Sequence, residues 1–208
     1  MPTIATEKAK KSAATAAPEK QFSLSEYLAK EESAQHKHEY HNGQIIAMHG
    51  SKIKHNIIAT NLTTAIKSAV KNLLQKFFVI NSDQKIYIPQ VNKVLYADAL
   101  VICEEPELWE DREDLLLNPL LIVEVASKSM RNYDRGEKFM SYRLIPSFRE
   151  YILVEQDKPL VENWFRSKPN TWEITAQEDT EQSVFLQSLG VFISLQDIYE
   201  HISLNSIN

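Results

Sequence analysis

Two short apolar runs, residues 95–103 and 120–125, each carry a carboxylate within them, Asp98 in LYADALVIC and Glu124 in LLIVEVAS. Runs of this length, rich in β-branched and large apolar residues, suit strands covered by other layers of the fold. An ionised carboxylate set among such side chains is costly unless it meets a metal or a strong hydrogen-bond partner. A fold that buries these runs must therefore bring a compensating group to both acids. For either acid alone, a strand-end carboxylate bonded to backbone amides would be a sufficient account. Followed by Lys138 in DRGEKFMSY, the two together point to a divalent-metal site.

The chain has 208 residues, 43% hydrophobic and 25% charged, which is enough for one good-sized core. Residues 1–20 are Ala/Lys/Thr-rich with no apolar h-region, so they read as a disordered tail and not as a secretory signal. Residues 21–208 read as a single domain. With a net charge of −5 the molecule as a whole does not attract polyanions, so any nucleic-acid surface must be local. Cys103 is the only cysteine, which excludes an internal disulfide and agrees with a cytoplasmic location. No apolar run approaches the ~20 residues of a membrane span.

Ser23 and Glu26 have capping-box spacing ahead of a short helix, and Asn42-Gly43 joins two strand-like runs as a hairpin would. Apolar residues recur every three or four positions over 52–76, the period of a long amphipathic helix. Strands are expected at 77–80, 85–88, 95–103, 120–125 and 150–155, with an acidic loop over 104–114 and a helix over 132–144. Antiparallel strands follow at 160–165 and 172–175, then a last strand pair around Gly190 and a short helix near Ser194. Alternation of this kind favours an α/β domain with a mixed sheet.

Side chains alternate along a strand, so Asp98 shares a face with Tyr96 and Leu100, and Glu124 with Ile122 and Ala126. If the two strands pair, they lie ~4.8 Å apart and both carboxylates can reach one ion. An oxygen-only site of this kind suits a hard cation, magnesium or manganese. Asp134, Lys138 and Tyr142 follow at intervals of four on one helix face. That face can carry an ammonium toward a phosphoryl oxygen. Taken alone, Lys138 would be a solvated lysine paired with Asp134; the constellation is what singles it out.

At these residues the chain resembles the PD-(D/E)XK nuclease superfamily, and more closely the bacterial restriction-type endonucleases of the Uma-two family, numerous in cyanobacteria. The resemblance spans about 22–202. It is carried by Tyr96-Ala97-Asp98, by Pro119 with residues 121–127, by Asp134, Lys138 and Tyr142, and by 150–154, with Glu39, Gly43, Gly50 and His55 upstream. It implies a restriction-endonuclease-like fold, a central mixed β-sheet flanked by helices with extra peripheral strands. It also implies a metal-dependent endonuclease that hydrolyses DNA phosphodiesters. Carried over, Asp98 and Glu124 look like metal ligands, Lys138 the catalytic lysine and Glu39 an auxiliary acid. Ala126 stands where the superfamily's lysine usually falls; the Uma-two group is similar to this chain in placing it on the next helix. Ala97, Lys128 and Met130 also depart from the pattern, and a catalytically silent domain that binds nucleic acid or a partner is the alternative.

Lys128, Arg131 and Arg135 make a local basic excess that could contact a phosphate backbone, or form an ordinary charged helix surface. His55 and Tyr142 are further candidates for substrate contact, against capping and packing roles. His36, His38 and His41 lack the spacing of a zinc site and read as surface histidines. Trp164 and Trp172 suit the core or a homodimer contact.

Overall fold

Ala97 and Asp98 carry the chain from one sheet into another, and the site is built around that passage. The computed structural model describes residues 20–204, so the expected tail lies outside the described residues apart from Lys20. In chain order come α1 (Leu24–Glu32), β1 (His38–His41), β2 (Gln44–Ala47), α2 (Ile53–Val70), β3 (Phe77–Asn81), β4 (Lys85–Ile88), β5 (Lys93–Tyr96), β6 (Ala99–Cys103), β7 (Leu115–Leu116) and β8 (Leu121–Ala126). A helical crossover follows, made of α3 (Arg131–Tyr133), a π-turn (Asp134–Lys138) and α4 (Phe139–Tyr142). Then come β9 (Glu150–Glu155), β10 (Val161–Lys168), β11 (Thr171–Gln177), β12 (Ser183–Leu186), β13 (Val191–Ser194) and α5 (Leu195–Ile198).

One sheet has the order β2-β1-β5-β4-β7 and a larger one the order β11-β10-β9-β8-β6-β3, with β12-β13 as a separate pair. The single strand expected over 95–103 is therefore two strands in two sheets. The break has a local cause. The Asp98 amide donates to the Val123 carbonyl at 3.1 Å, while its Oδ2 accepts the Val125 amide at 2.7 Å. A side-chain oxygen thus stands in for a ladder carbonyl, and regular pairing begins only at Ala99. Of the late strands, β10 and β11 extend the main sheet beyond β9 as an antiparallel edge, and β12 and β13 pair apart from it. Trp164 and Trp172 lie edge-on to Phe139, with ring centres 4.7 and 4.9 Å away, so they pack on the core.

Local chemistry explains most element ends. Ser23 and Glu26 form the capping box of α1, and Asn42 (φ 45°) and Gly43 (φ 104°) supply the two left-handed positions of the β1–β2 turn. The long helix stops at Val70, short of residue 76, and Leu74 is left fully exposed. Its apolar period ran on, but the Leu73 amide turns back to the Val70 carbonyl at 3.1 Å and the chain reverses into β3, which pairs with β6.

β8 runs antiparallel to β6 and parallel to β9. The parallel pair demands a crossover, which the helical segment 131–142 supplies. The faces of β8 divide as the period of two requires. Leu121, Val123 and Val125 join Ile58, Leu62 and Ile66 of α2 in one core, while Ile122 and Ala126 join Phe139, Tyr142 and Tyr151 in the other. Glu124 projects with the second set, toward the helical crossover. A third cluster, around Tyr27, Tyr40 and Tyr87, seats α1 on the smaller sheet.

Gly43→Ala should cost more than about 1 kcal/mol and lower the urea midpoint. Its backbone sits at φ +104°, and an added Cβ would fall 1.8 Å from Gln21 Oε1.

Candidate active site

Every residue of β8 is buried, and Glu124 is only 3% exposed. Removing a carboxylate from water to that degree costs several kcal/mol unless it is answered by charge and hydrogen bonds. The answer comes from the crossover. Lys138 Nζ lies 2.8 Å from Glu124 Oε1, and the Tyr142 hydroxyl donates to the same oxygen at 3.1 Å. The π-turn widens the helix at this point, so Tyr133, Asp134, Glu137 and Lys138 all line one cleft. Such turns recur at functional sites.

Across the cleft, β1 delivers Glu39 from the smaller sheet. Its Oε1 lies 3.8 Å from Lys138 Nζ, and its Oε2 accepts the Tyr133 hydroxyl at 2.7 Å and meets His41 Nε2 at 3.1 Å. Asp98 sits at the passage between sheets, where His55 Nε2 of α2 reaches its Oδ2 at 3.2 Å.

Burial works against the charge on Lys138, yet Glu124, Glu39, Asp134 and Asp98 outweigh it and hold the side chain as an ammonium. Glu39 shows the reverse balance. Burial pushes its carboxyl up, but His41, Lys138 and Tyr133 bring it below the ordinary value. Burial raises Glu124, and Asp98 and Asp134 add to the rise against the pull of Lys138. Asp134 is pushed up to about 6, by burial first and then by Asp98 and Glu39. For His55, burial opposes the imidazolium, and the bond and charge of Asp98 turn the net shift upward. Carboxylates thus outnumber the cations that face them.

Both partners of Asp98 use Oδ2, and both partners of Glu124 use Oε1. The other oxygen of each acid is left free of those partners, on residues that line the same cleft. Two carboxylates with spare oxygens, in a site with excess negative charge, fit a hard divalent cation that draws its remaining ligands from water or substrate. Among the described residues no group of three or more His, Cys, Asp or Glu side chains is disposed to hold a metal. Asp98 and Glu124 are the residues that could hold such an ion.

The family model Uma2, described as "Putative restriction endonuclease", matches residues 24–196. The chain belongs to the Uma2 family. Two Synechocystis sp. relatives agree with that placement. The "Uncharacterized protein sll1609" is 33% identical over 154 residues, 74% of this chain and 86% of its own length. The "Uncharacterized protein slr1290" is 31% identical over 185 residues, 88% of this chain and 94% of the relative. An Anabaena variabilis crystal structure described as "a putative nuclease belonging to DUF820" superposes with a TM-score of 0.67 at 17% identity. It covers 88% of this chain and 99% of its own. At that identity the match speaks for the fold, the restriction-endonuclease-like arrangement of a mixed sheet with few helices.

In this Uma2 protein Glu39, His55, Asp98, Glu124 and Lys138 come together on a single cleft of about 990 Å³, with Lys128 exposed at its rim. Tyr142 is fully buried behind Glu124, so it supports that carboxylate and has no surface to offer a substrate. Arg131 and Arg135 go elsewhere. They pair with Glu155 and Glu162 of the main sheet, and neither lines the cleft. The expectation of surface histidines holds only for His36. His38 is half-buried against Glu31 at 2.9 Å, and His41 is enclosed between Glu39 and Tyr133, because a strand with buried neighbours draws them in. Sequence reasoning passed over Tyr133 and His41 as site residues. Nothing local marks Tyr133, whose contact with Glu39 spans 94 positions, whereas His41 stands two positions from Glu39 on the same strand face, a signal of period two. Asp134 did carry a signal, its four-residue spacing from Lys138.

Asp134 sets a pH test. Its carboxyl titrates near 6 in the fold against an ordinary 3.8, so between those values the native state holds more protons than the unfolded one. Stability then falls as pH rises through that window, and the full cost is present above it. Asp134→Asn, which keeps the shape of the neutral form, should raise Tm of the metal-free protein at pH 7.5. The gain should fade toward pH 4, as thermal melts in chelator across this range would record.

Proposed function

We propose that this protein is a magnesium- or manganese-dependent endonuclease that hydrolyses phosphodiester bonds in DNA. The observation that carries the reading is the meeting of Asp98, Glu124 and Lys138 on one cleft, with the ammonium 2.8 Å from Glu124. Membership of Uma2 and the nuclease-like fold support it.

Asp98 and Glu124 would hold the divalent ion through the oxygens their structural partners leave free. Bound there, the cation supplies positive charge against the phosphodiester and polarises its phosphorus–oxygen bonds. The chain's own groups do the rest. Lys138 is a donor and not a base, because its surrounding carboxylates keep it protonated. Fixed by Glu124, it points N–H toward the cleft, where it can steady the negative charge that grows on a phosphoryl oxygen. Glu39, locked by Tyr133 and His41, keeps that ammonium from swinging away. Asp134, with its carboxyl near 6, is the group best matched to take the proton from the attacking water as the phosphorus–oxygen bond to the leaving sugar breaks.

Incubation of purified protein with plasmid and single-stranded DNA in millimolar manganese or magnesium should give cleavage that chelator abolishes. Asp98→Asn and Lys138→Met should each lower the rate by about 100-fold or more. Undiminished cleavage by Asp98→Asn would end this reading. In calorimetry, Glu124→Gln should weaken manganese binding, while Lys138→Met should leave it intact or stronger, since it removes a competing positive charge.

A further inference from the structure

A second lobe of about 730 Å³ opens beside the reactive cleft and joins it at His55, Asp98 and Lys138. The two lobes differ in chemistry. Lys52, Lys54 and Lys128 line the first as point charges suited to phosphates, with Lys54 3.6 Å from Asp157 on the same cleft. Lys37 is the only lysine of the second besides the shared Lys138, and it is committed to Asp83 at 2.6 Å and to the Ser82 carbonyl at 2.7 Å. Hydroxyls and amides make much of its remaining polar wall.

Those hydroxyls have a fixed polarity. Thr60, Thr63 and Thr64 of α2 donate to the carbonyls of Asn56, Ala59 and Thr60, each at 2.8 Å. Their protons are spent on the helix, so toward the lobe they present lone pairs only. Opposite them Asn81 uses Oδ1 to accept the Asp83 amide at 3.2 Å, which leaves its NH₂ as a donor. A lobe whose α2 wall is a row of uncharged acceptors, with an amide donor on Asn81 and with His36, His49, His55 and Asp98 among its other polar groups, matches a nucleoside with its N–H and O–H donors and ring acceptors.

We infer that this lobe is a nucleoside subsite, and that the strand cut in the cleft is unpaired there, with phosphates on the lysine bank and an unstacked base among the threonines. The inference rests on the nuclease reading for the place of the scissile phosphate. A base inside a duplex has its pairing edge occupied and its faces stacked, so it can enter a side pocket only by leaving the helix. Charge favours the same conclusion. Duplex binding gains affinity from many phosphate contacts, but Arg131 and Arg135 are neutralised by Glu155 and Glu162. Lys52 and Lys128, with Lys54 shared with Asp157, suit a short run of one strand.

The test is binding without cleavage. Fluorescein-labelled single-stranded DNA and the duplex of the same sequence are titrated with the protein in calcium buffer, and anisotropy is followed. The single strand should bind at least tenfold more tightly. The double variant Thr60→Val/Thr63→Val should lose most of that preference, with a circular dichroism spectrum and Tm close to the parent. Lys52→Glu/Lys54→Glu should weaken both ligands and flatten the salt dependence. Equal or tighter duplex binding overturns the inference, as does no binding of either DNA, or a strand preference that survives the threonine changes. Cleavage of duplex plasmid at a rate insensitive to the threonines would sink this subsite and leave the nuclease reading standing. Threonine-dependent strand binding without cleavage in any metal would do the opposite.

Discussion

A buried ion pair, Glu124 with Lys138, is the contact on which the rest of the site depends. It joins the centre of the main sheet to the crossover helix, and each partner would be expensive to bury alone. A pair of apolar side chains of similar volume could hold those elements together at least as well. What the ion pair supplies that they cannot is charge at a fixed place. The carboxylate pins the ammonium, the surrounding acids keep it protonated, and Tyr142 shares the same oxygen from beneath. The π-turn belongs to the same device, because it brings Tyr133, Asp134 and Lys138 to one side of a short helix.

Much of this arrangement was legible in the sequence. Glu124 in an apolar run announced a buried charge, the four-residue spacing of Asp134, Lys138 and Tyr142 announced a common face, and Asn42-Gly43 announced a turn that only positive φ could make. These signals are local, or depend on a single period. The passage of Asp98 between sheets was not legible, because 95–103 has the composition of one strand and the break comes from hydrogen bonds to Val123 and Val125 far along the chain. The premature end of α2 was hidden for a related reason, since an apolar period can outrun the helix when the next strand needs the chain to reverse.

The basic segment was legible as charge but not as function. Composition counts Arg131 and Arg135 as free cations, whereas Glu155 and Glu162, on strands 24 and 27 positions away, neutralise them. Lys128 of that segment does line the cleft, and so do Lys52 and Lys54 at the start of α2, where the sequence marks only a helix, Lys54 with Asp157 beside it at 3.6 Å.

Glu39 stands on the smaller sheet, Glu124 on the larger, and Asp98 on the link between them. Neither layer owns the constellation. A fragment bearing one layer would carry an incomplete set of acids, however well it folded. Any substitution that let the layers slide would loosen the alignment of these side chains without touching one of them. The constellation is a property of the seam, and the buried Ile86, Ile88 and Leu95 of the smaller sheet, packed with Leu100, Ile102 and Ile122 of the larger, are as much its guardians as the charges they surround.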